Sequence, residues 1–313
     1  MPEETAYFNG RIVPTSEAKI SIRTHAFLYG TACFEGIRGN WNDDEGVSYL
    51  FRVREHYERL RLSCRILRIE LPHTDDELCD ITSKVVAESG YTEDVYIRPI
   101  AYKSDEVIGP RMHDVGNDFL IFVIPFGAYL DDSGIRCITS TWRRVDDLGI
   151  PARAKVNGLY VNSALAKTEA QEAGFDEAIM LDDRGHVSEG SGENIFIVRK
   201  GKLITPPPSD NILEGITRET VITLARDELG IETVERSIDR SELYIADECF
   251  MTGTAAHVSA VIEVDRRPVG SGETGEITRR LQDLFFDAIL GKNAKYSSWL
   301  TAVKPKTHAG VKA

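Results

Sequence analysis

The sequence predicts a protein that mixes sheets and helices over two domains, and three observations carry that expectation. Apolar, β-rich runs at 94–102 and 118–124 follow two helical segments, so the first half reads as a sheet with helices against it. A connection rich in Gly, Pro, Asp and Ser occupies 125–134. Beyond it, strand-like and helical segments recur. At about 100–200 residues per domain, the 313 residues suit two domains or one large one. We place the domains at 1–124 and 135–302, joined by 125–134, with 303–313 as a frayed tail.

The elements are legible in order. Residues 5–13 form a hairpin turning at Asn9-Gly10. A helix spans 54–67. A second spans 75–89, where Leu78, Ile81, Val85 and Val86 recur at helical spacing and Gly90 provides the stop. After the connection, a strand at 135–143 precedes a helix at 160–173 ended by Gly174. Strands at 177–181 and 194–198 follow, each closed by a turn: Asp182-Asp183-Arg184-Gly185 and Lys200-Gly201. A helix at 217–229 takes Thr217 as its N-cap and Gly230 as its stop, with Val221, Leu224, Ala225 and Leu229 on one face. The last helix, 273–290, lines up Ile277, Leu281, Leu284, Phe285 and Ala288.

Composition narrows the function. Hydrophobic residues at 42% and charged residues at 28% match soluble globular proteins and exclude bulk disorder. A net charge of −13 repels a phosphate backbone, so any anionic ligand must be held by a local cluster of donors. The cysteines (Cys33, Cys64, Cys79, Cys137, Cys249) are scattered without a CxxC unit. That spacing suggests neither a disulfide framework nor a zinc site, and the expectation is reduced, mostly buried thiols in a cytoplasmic protein without a bound metal. The start lacks the pattern of a signal peptide, and no run approaches the ~18 apolar residues of a membrane span.

Four segments carry the polar chemistry. Lys155 lies in Arg153-Ala154-Lys155-Val156-Asn157-Gly158-Leu159-Tyr160. Ser188-Glu189-Gly190-Ser191-Gly192-Glu193-Asn194 sets two carboxylates among glycines that let backbone approach a ligand. It is not the dinucleotide fingerprint, because Ile195 stands at the third glycine position. Leu213-Glu214-Gly215-Ile216-Thr217 enters a helix whose free N–H groups suit an anion. The dipole there supplies only about 0.3–2 kcal/mol, so a cationic side chain must converge on it. Met251-Thr252-Gly253-Thr254-Ala255-Ala256 offers hydroxyls and open amides at a strand end. Taken singly, these read as a surface lysine, a polar loop, a capped helix and a turn.

Taken in order, with Tyr29 to Arg38, Arg54 to Leu60, Tyr96 to Pro99 and Pro125 to Tyr129, they resemble the fold-type IV pyridoxal-phosphate enzymes, specifically the branched-chain amino-acid aminotransferases. The likeness extends to Trp299 and covers nearly the whole chain. It implies an α+β fold, with a small N-terminal α/β domain and a larger C-terminal domain carrying a barrel-like β-sheet flanked by helices. It further implies pyridoxal 5'-phosphate as cofactor, amino acids and 2-oxo acids as substrates, and a homodimer or larger homo-oligomer, with no nucleic-acid or membrane partner.

Residue by residue, the resemblance makes Lys155 the lysine of the internal aldimine and, once displaced, the proton carrier. Glu189 faces the pyridine nitrogen and Tyr160 the ring hydroxyl. Arg59 binds the phosphate with Ile216, Thr217 and Thr254, while Glu193 and Asn194 are supports behind them. Tyr29, Phe34, Phe126 and Tyr160 form apolar contacts for the substrate. Arg98 meets a distal carboxylate, where a bidentate arginine suits better than a lysine. Tyr96 and the amide of Ala255 meet the α-carboxylate, and Arg38 and Tyr129 border the site. Two departures bear on substrate range: Phe126 stands where many relatives carry tryptophan, and 106–113 does not follow the family's usual loop. The expected reaction is ping-pong transamination between leucine, isoleucine or valine and 2-oxoglutarate. Same-fold alternatives are a D-amino-acid or (R)-amine transaminase and an aminodeoxychorismate lyase; a non-catalytic pyridoxal-phosphate-binding protein is a remoter one.

Overall fold

A computed structural model of the chain describes residues 4–127 and 133–306. It divides into two compact units, the first comprising Met1–Gly127, Ala154–Gly158 and Ala288–Ala313, the second Ala128–Arg153 and Leu159–Asp287. This differs from a single cut at 125–134. Two later stretches return to the first unit, so the units are of nearly equal length instead of small and large.

The first unit opens with a hairpin of β1 (Thr5–Phe8) and β2 (Arg11–Pro14). Asn9 and Gly10 both take positive φ, as a two-residue turn matching strand twist requires. A short α1 (His25–Tyr29) ends at left-handed Gly30 and leads into β3 (Ala32–Phe34), β4 (Ile37–Asn42) and β5 (Val47–Phe51). Next come α2 (Val53–Ile66) and α3 (Asp75–Ser89). Thr74 and Glu77 close a capping box on α3. The long strands β6 (Val95–Lys103) and β7 (Asn117–Pro125) pair along their whole length.

The second unit begins with β8 (Ile135–Thr139), which stops short of the expected 143. A crossover through α4 (Tyr160–Glu172) leads to β9 (Glu177–Leu181), parallel to β8. Then come β10 (Val187–Gly190), β11 (Asn194–Arg199) and β12 (Lys202–Thr205). A second crossover, α5 (Ile216–Leu229), reaches β13 (Thr233–Glu235), parallel to β12. Finally β14 (Glu248–Gly253), β15 (His257–Val264) and β16 (Arg267–Pro268) complete the sheet, and α6 (Glu276–Ile289) follows.

The sheet of this unit runs β10-β9-β8-β15-β14-β11-β12-β13, with β16 on β15. It curls until its end strand β10 returns beside β11, where the Gly190 N–H donates to the Glu193 carbonyl at 2.7 Å. Ile135, Ile179, Ile195, Ile197, Met251 and Val261 fill part of its core. The protein is thus an α+β fold with a curled, half-barrel sheet flanked by helices.

After α6 the chain adds β17 (Leu300–Val303) to the first unit, antiparallel to β5. The order of that sheet is β17-β5-β4-β6-β7-β1-β2, with β3 on β6. Residues 303–306, expected within a frayed tail, are instead held in the first unit. Val303 pairs with Ser48 and is buried, and the Lys306 N–H donates to the Ala87 carbonyl. Residues 307–313 lie outside the described residues.

Four of the five cysteines are buried and Cys79 is half-buried, all as free thiols. Among the described residues, no helix is long and apolar enough to cross a membrane.

Candidate active site

In the first unit, Lys155 rides on a five-residue strap that pairs with β3. Val156 bridges Cys33, the Phe34 N–H donates to the Lys155 carbonyl at 3.0 Å, and the Lys155 N–H donates to Ser63 Oγ at 3.1 Å. Both peptide groups of the lysine are thereby fixed by β3 and α2. Gly30 and Gly158 permit the approach: a Cβ on Gly30, at φ +68°, would stand 2.8 Å from the Gly158 Cα.

Lys155 Nζ lies 5.1 Å from the Phe34 ring centre, and the Arg98 guanidinium covers the same ring at 4.2 Å. Alternation along β6 puts Tyr96 and Arg98 on one face, and Arg98 Nη2 donates to the Tyr96 hydroxyl at 2.8 Å. Gly36 leaves room for that hydroxyl, which would lie 2.2 Å from a Cβ there. Arg98 Nε is buried with no hydrogen-bond partner among the described residues. Phe126 continues the row, 5.2 Å from the Tyr96 ring and 5.1 Å beneath Arg38.

Arg38 itself is buried and engaged by Asp94 at 3.2 Å and by the Gly127 carbonyl at 3.1 Å. It braces Phe126. Tyr29, on α1, is partly exposed, and its hydroxyl accepts from the Gly109 N–H at 2.8 Å; the divergent 106–113 loop is thus tied to it. Tyr129 lies outside the described residues.

Arg59, on α2, is clamped. The wholly buried Glu35 accepts from Arg59 Nε at 2.8 Å and Nη2 at 2.7 Å, and from His56 Nδ1 at 2.8 Å. Burial alone would push the Glu35 carboxyl up, but the adjacent Arg59 charge and the hydrogen bonds outweigh it and hold it well below the usual carboxylate range. Burial likewise lowers His56, against the opposing pull of Glu35.

The second unit gathers the other set around Glu189, on β10. Its Oε1 lies 2.7 Å from Arg144 Nη2, while Oε2 accepts from Asn194 Nδ2 at 3.1 Å and the Leu213 N–H at 2.9 Å. Asn194 also donates to the Leu213 carbonyl at 2.8 Å. It is a support for Glu189 and for the entry to α5. That helix starts at Ile216 with Gly215 as N-cap, not Thr217, because Gly215 is the last extended residue. No side chain caps it, which leaves its first N–H groups for an anion. A Cβ on Gly215 would fall 2.0 Å from Asn194 Oδ1.

Register pairs Thr252 with Asn194, so Thr254 and Ala255 follow in the turn beside the 191–193 loop. Tyr160 opens α4 one turn before Ser163, whose Oγ is 3.5 Å from Arg144 Nη1. Glu193 is buried, and burial, then the nearby Glu177, push its carboxyl up to about 8.

The sequence reading missed two features. Glu35 had a signal: an acid inside the apolar run Cys33-Phe34-Glu35-Gly36-Ile37 must be paired if that run is buried. Arg144 had none, since nothing local to it points to a carboxylate in another strand.

Each unit carries groups whose chemistry suits a pyridoxal-type cofactor: in the first a fixed lysine and a clamped arginine, in the second an uncapped helix start and a carboxylate already provided with a countercharge. Residues 32–264 match the Amino-transferase class IV family. The chain belongs to that class. A probable branched-chain-amino-acid aminotransferase of Aquifex aeolicus is 55% identical over 302 residues, covering 96% of this chain and 97% of the relative. Within the class, the chain is a member of the branched-chain-amino-acid aminotransferase family. Among solved structures, the branched-chain aminotransferase of Thermoproteus uzoniensis with norvaline superposes with a TM-score of 0.92 at 45% identity, covering 96% and 99% of the two chains. The T.th. branched-chain amino acid aminotransferase complexed with N-(5'-phosphopyridoxyl)-L-glutamate gives 0.91 at 42%, with the same coverage.

Proposed function

We propose that the chain uses pyridoxal 5'-phosphate to transfer amino groups between branched-chain L-amino acids and 2-oxoglutarate. The observation that carries this is Lys155, fixed at both peptide groups with its amine beside the Phe34 ring that Arg98 also covers. Norvaline and phosphopyridoxyl-glutamate in two similar structures support a pocket that takes both aliphatic and acidic side chains.

Bound to the enzyme, pyridoxal phosphate supplies an aldehyde that condenses with amines and an electron-poor ring that stabilises negative charge at the substrate's α-carbon. The residues do the rest. Lys155 would hold the aldehyde carbon between turnovers and, displaced by substrate, would be the base that moves the α-proton off the substrate. Glu189 faces the ring nitrogen and Tyr160 the ring hydroxyl. Arg59, the Ile216 and Thr217 amides, and Thr254 hold the phosphate. Phe34, Tyr29, Phe126 and Tyr160 meet an aliphatic side chain. Arg98 pairs with the distal carboxylate of 2-oxoglutarate, Tyr96 and the Ala255 amide with the α-carboxylate, and Arg38 borders them.

The test is turnover of leucine, isoleucine and valine with 2-oxoglutarate, beside D-alanine and an (R)-arylamine. Parallel double-reciprocal lines with the L-amino acids are expected; no turnover of any of the three would overturn the proposal. The assembly proposed is a homodimer or larger homo-oligomer. It is supported by the exposed apolar side chains of Ile20, Ile22, Phe27, Leu28 and Ile108 in the first unit, and sedimentation equilibrium measures it.

A further inference from the structure

We propose that Arg144 is a positioning residue that acts through Glu189 to keep a proton on the nitrogen of the cofactor ring. The inference rests on the reading of Glu189 as that nitrogen's partner. Arg144 stands just past β8, its N–H donating to the Leu181 carbonyl at 2.8 Å. Its side chain is almost wholly buried. Among the described residues its sole ion-pair partner is Glu189, at 2.7 Å, and its other contact is the long one to Ser163 Oγ at 3.5 Å. Arg144 Nε is buried without a hydrogen-bond partner among the described residues. A guanidinium so poorly served otherwise has its buried charge matched by Glu189.

The consequence for the ring follows from distance. A proton shared between the ring nitrogen and Glu189 sits on whichever group is the more basic. Arg144 disfavours protonation of both, but Coulomb energy falls with separation, and Glu189 stands nearer to Arg144 than a ring beyond it does. The carboxylate therefore loses more basicity than the nitrogen, and the proton stays on the ring. An opposite charge this close moves a carboxyl's protonation equilibrium by about ten- to a thousandfold. Asn194 and the Leu213 amide, both donating to Oε2, add to the bias. Burial pushes the carboxyl of the other acid in the loop, Glu193, up, which favours its neutral form.

The test loads the enzyme with pyridoxal phosphate labelled with nitrogen-15 and reads the ring nitrogen by NMR near neutral pH. A protonated nitrogen resonates tens of ppm from an unprotonated one. The wild-type signal is expected at the protonated position, and Arg144→Met is expected to move it toward the unprotonated one. Arg144→Lys, which keeps a charge in place, is expected to remain protonated. Glu189→Gln separates the underlying reading from the inference. If its signal stays at the protonated position, the assignment of Glu189 fails. If it moves and that of Arg144→Met does not, the role of Arg144 fails. Should Arg144→Met not fold, Arg144→Gln, which removes the charge but keeps a polar side chain, is read in its place: a signal moved toward the unprotonated position upholds the inference, and one that stays protonated overturns it. A purely structural arginine would lower melting temperature without moving the signal.

Discussion

Replacing Lys155 with alanine removes the amine proposed to hold the aldehyde and carry the α-proton while leaving Arg59 and the α5 amides in place. Transamination of leucine is expected to fall by at least about 10²–10⁴-fold, while equilibrium dialysis still detects bound cofactor. Glu193 makes a second prediction, because the folded chain keeps its proton up to about pH 8 while the unfolded chain releases it near 4.5. Below 4.5 both states hold the proton. Across the window only the folded state does, so rising pH favours unfolding. Glu193→Gln has no such proton to lose, and its melting temperature relative to wild type is expected to climb from pH 4.5 to 8. A flat difference would mean that this carboxyl titrates alike in both states. At this scale, much of the candidate site was legible as ordered motifs: Lys155, Arg59, Glu189 and the α5 entry all fall within them. Their partners were harder to read. Arg144 meets Glu189 only because β8 and β10 flank β9 in one sheet, and no local pattern encodes that adjacency.

Elements with strong local chemistry were readable nearly to the residue. The helix expected at 75–89 is α3 with those bounds, since Thr74, Glu77 and Gly90 define its ends without help from the rest of the fold. Where tertiary pairing decides, the reading fell short. β3 is three residues long and exists through Tyr102, Ala101 and Ile100 of β6, while β17 exists through β5. Gly30 tests how closely the strap depends on α1. Gly30→Ala would force an L side chain to positive φ, at about 1–2 kcal/mol, and drive its Cβ into the Gly158 backbone. Because Gly158 is three residues from Lys155, kcat/KM is expected to drop by at least about tenfold, the effect of about 1.4 kcal/mol in the transition state. A variant with wild-type kinetics would show that the strap tolerates displacement.

On the scale of the molecule, the first unit is completed by residues far down the chain. Ending the protein at Trp299 would strip β5 of β17, leaving only β4 beside it, and remove the pairings of Leu300 with Phe51 and Val303 with Ser48. Amide exchange across Val47–Phe51 is expected to accelerate by at least about tenfold, as paired backbone becomes open edge. Unchanged protection would mean that β4 alone stabilises β5.

The itinerary of the backbone has a further consequence. It leaves the second unit at Arg153, spends Ala154–Gly158 in the first, and resumes the second at Leu159. No one scission of the polypeptide can yield two fragments that each carry a whole unit. Split-gene expression at any boundary would give pieces that are interdependent from birth: a cut before Ala154 leaves the five residues bearing the amine on the other fragment, and a cut after Gly158 parts Ala288–Ala313 from the rest of the first unit.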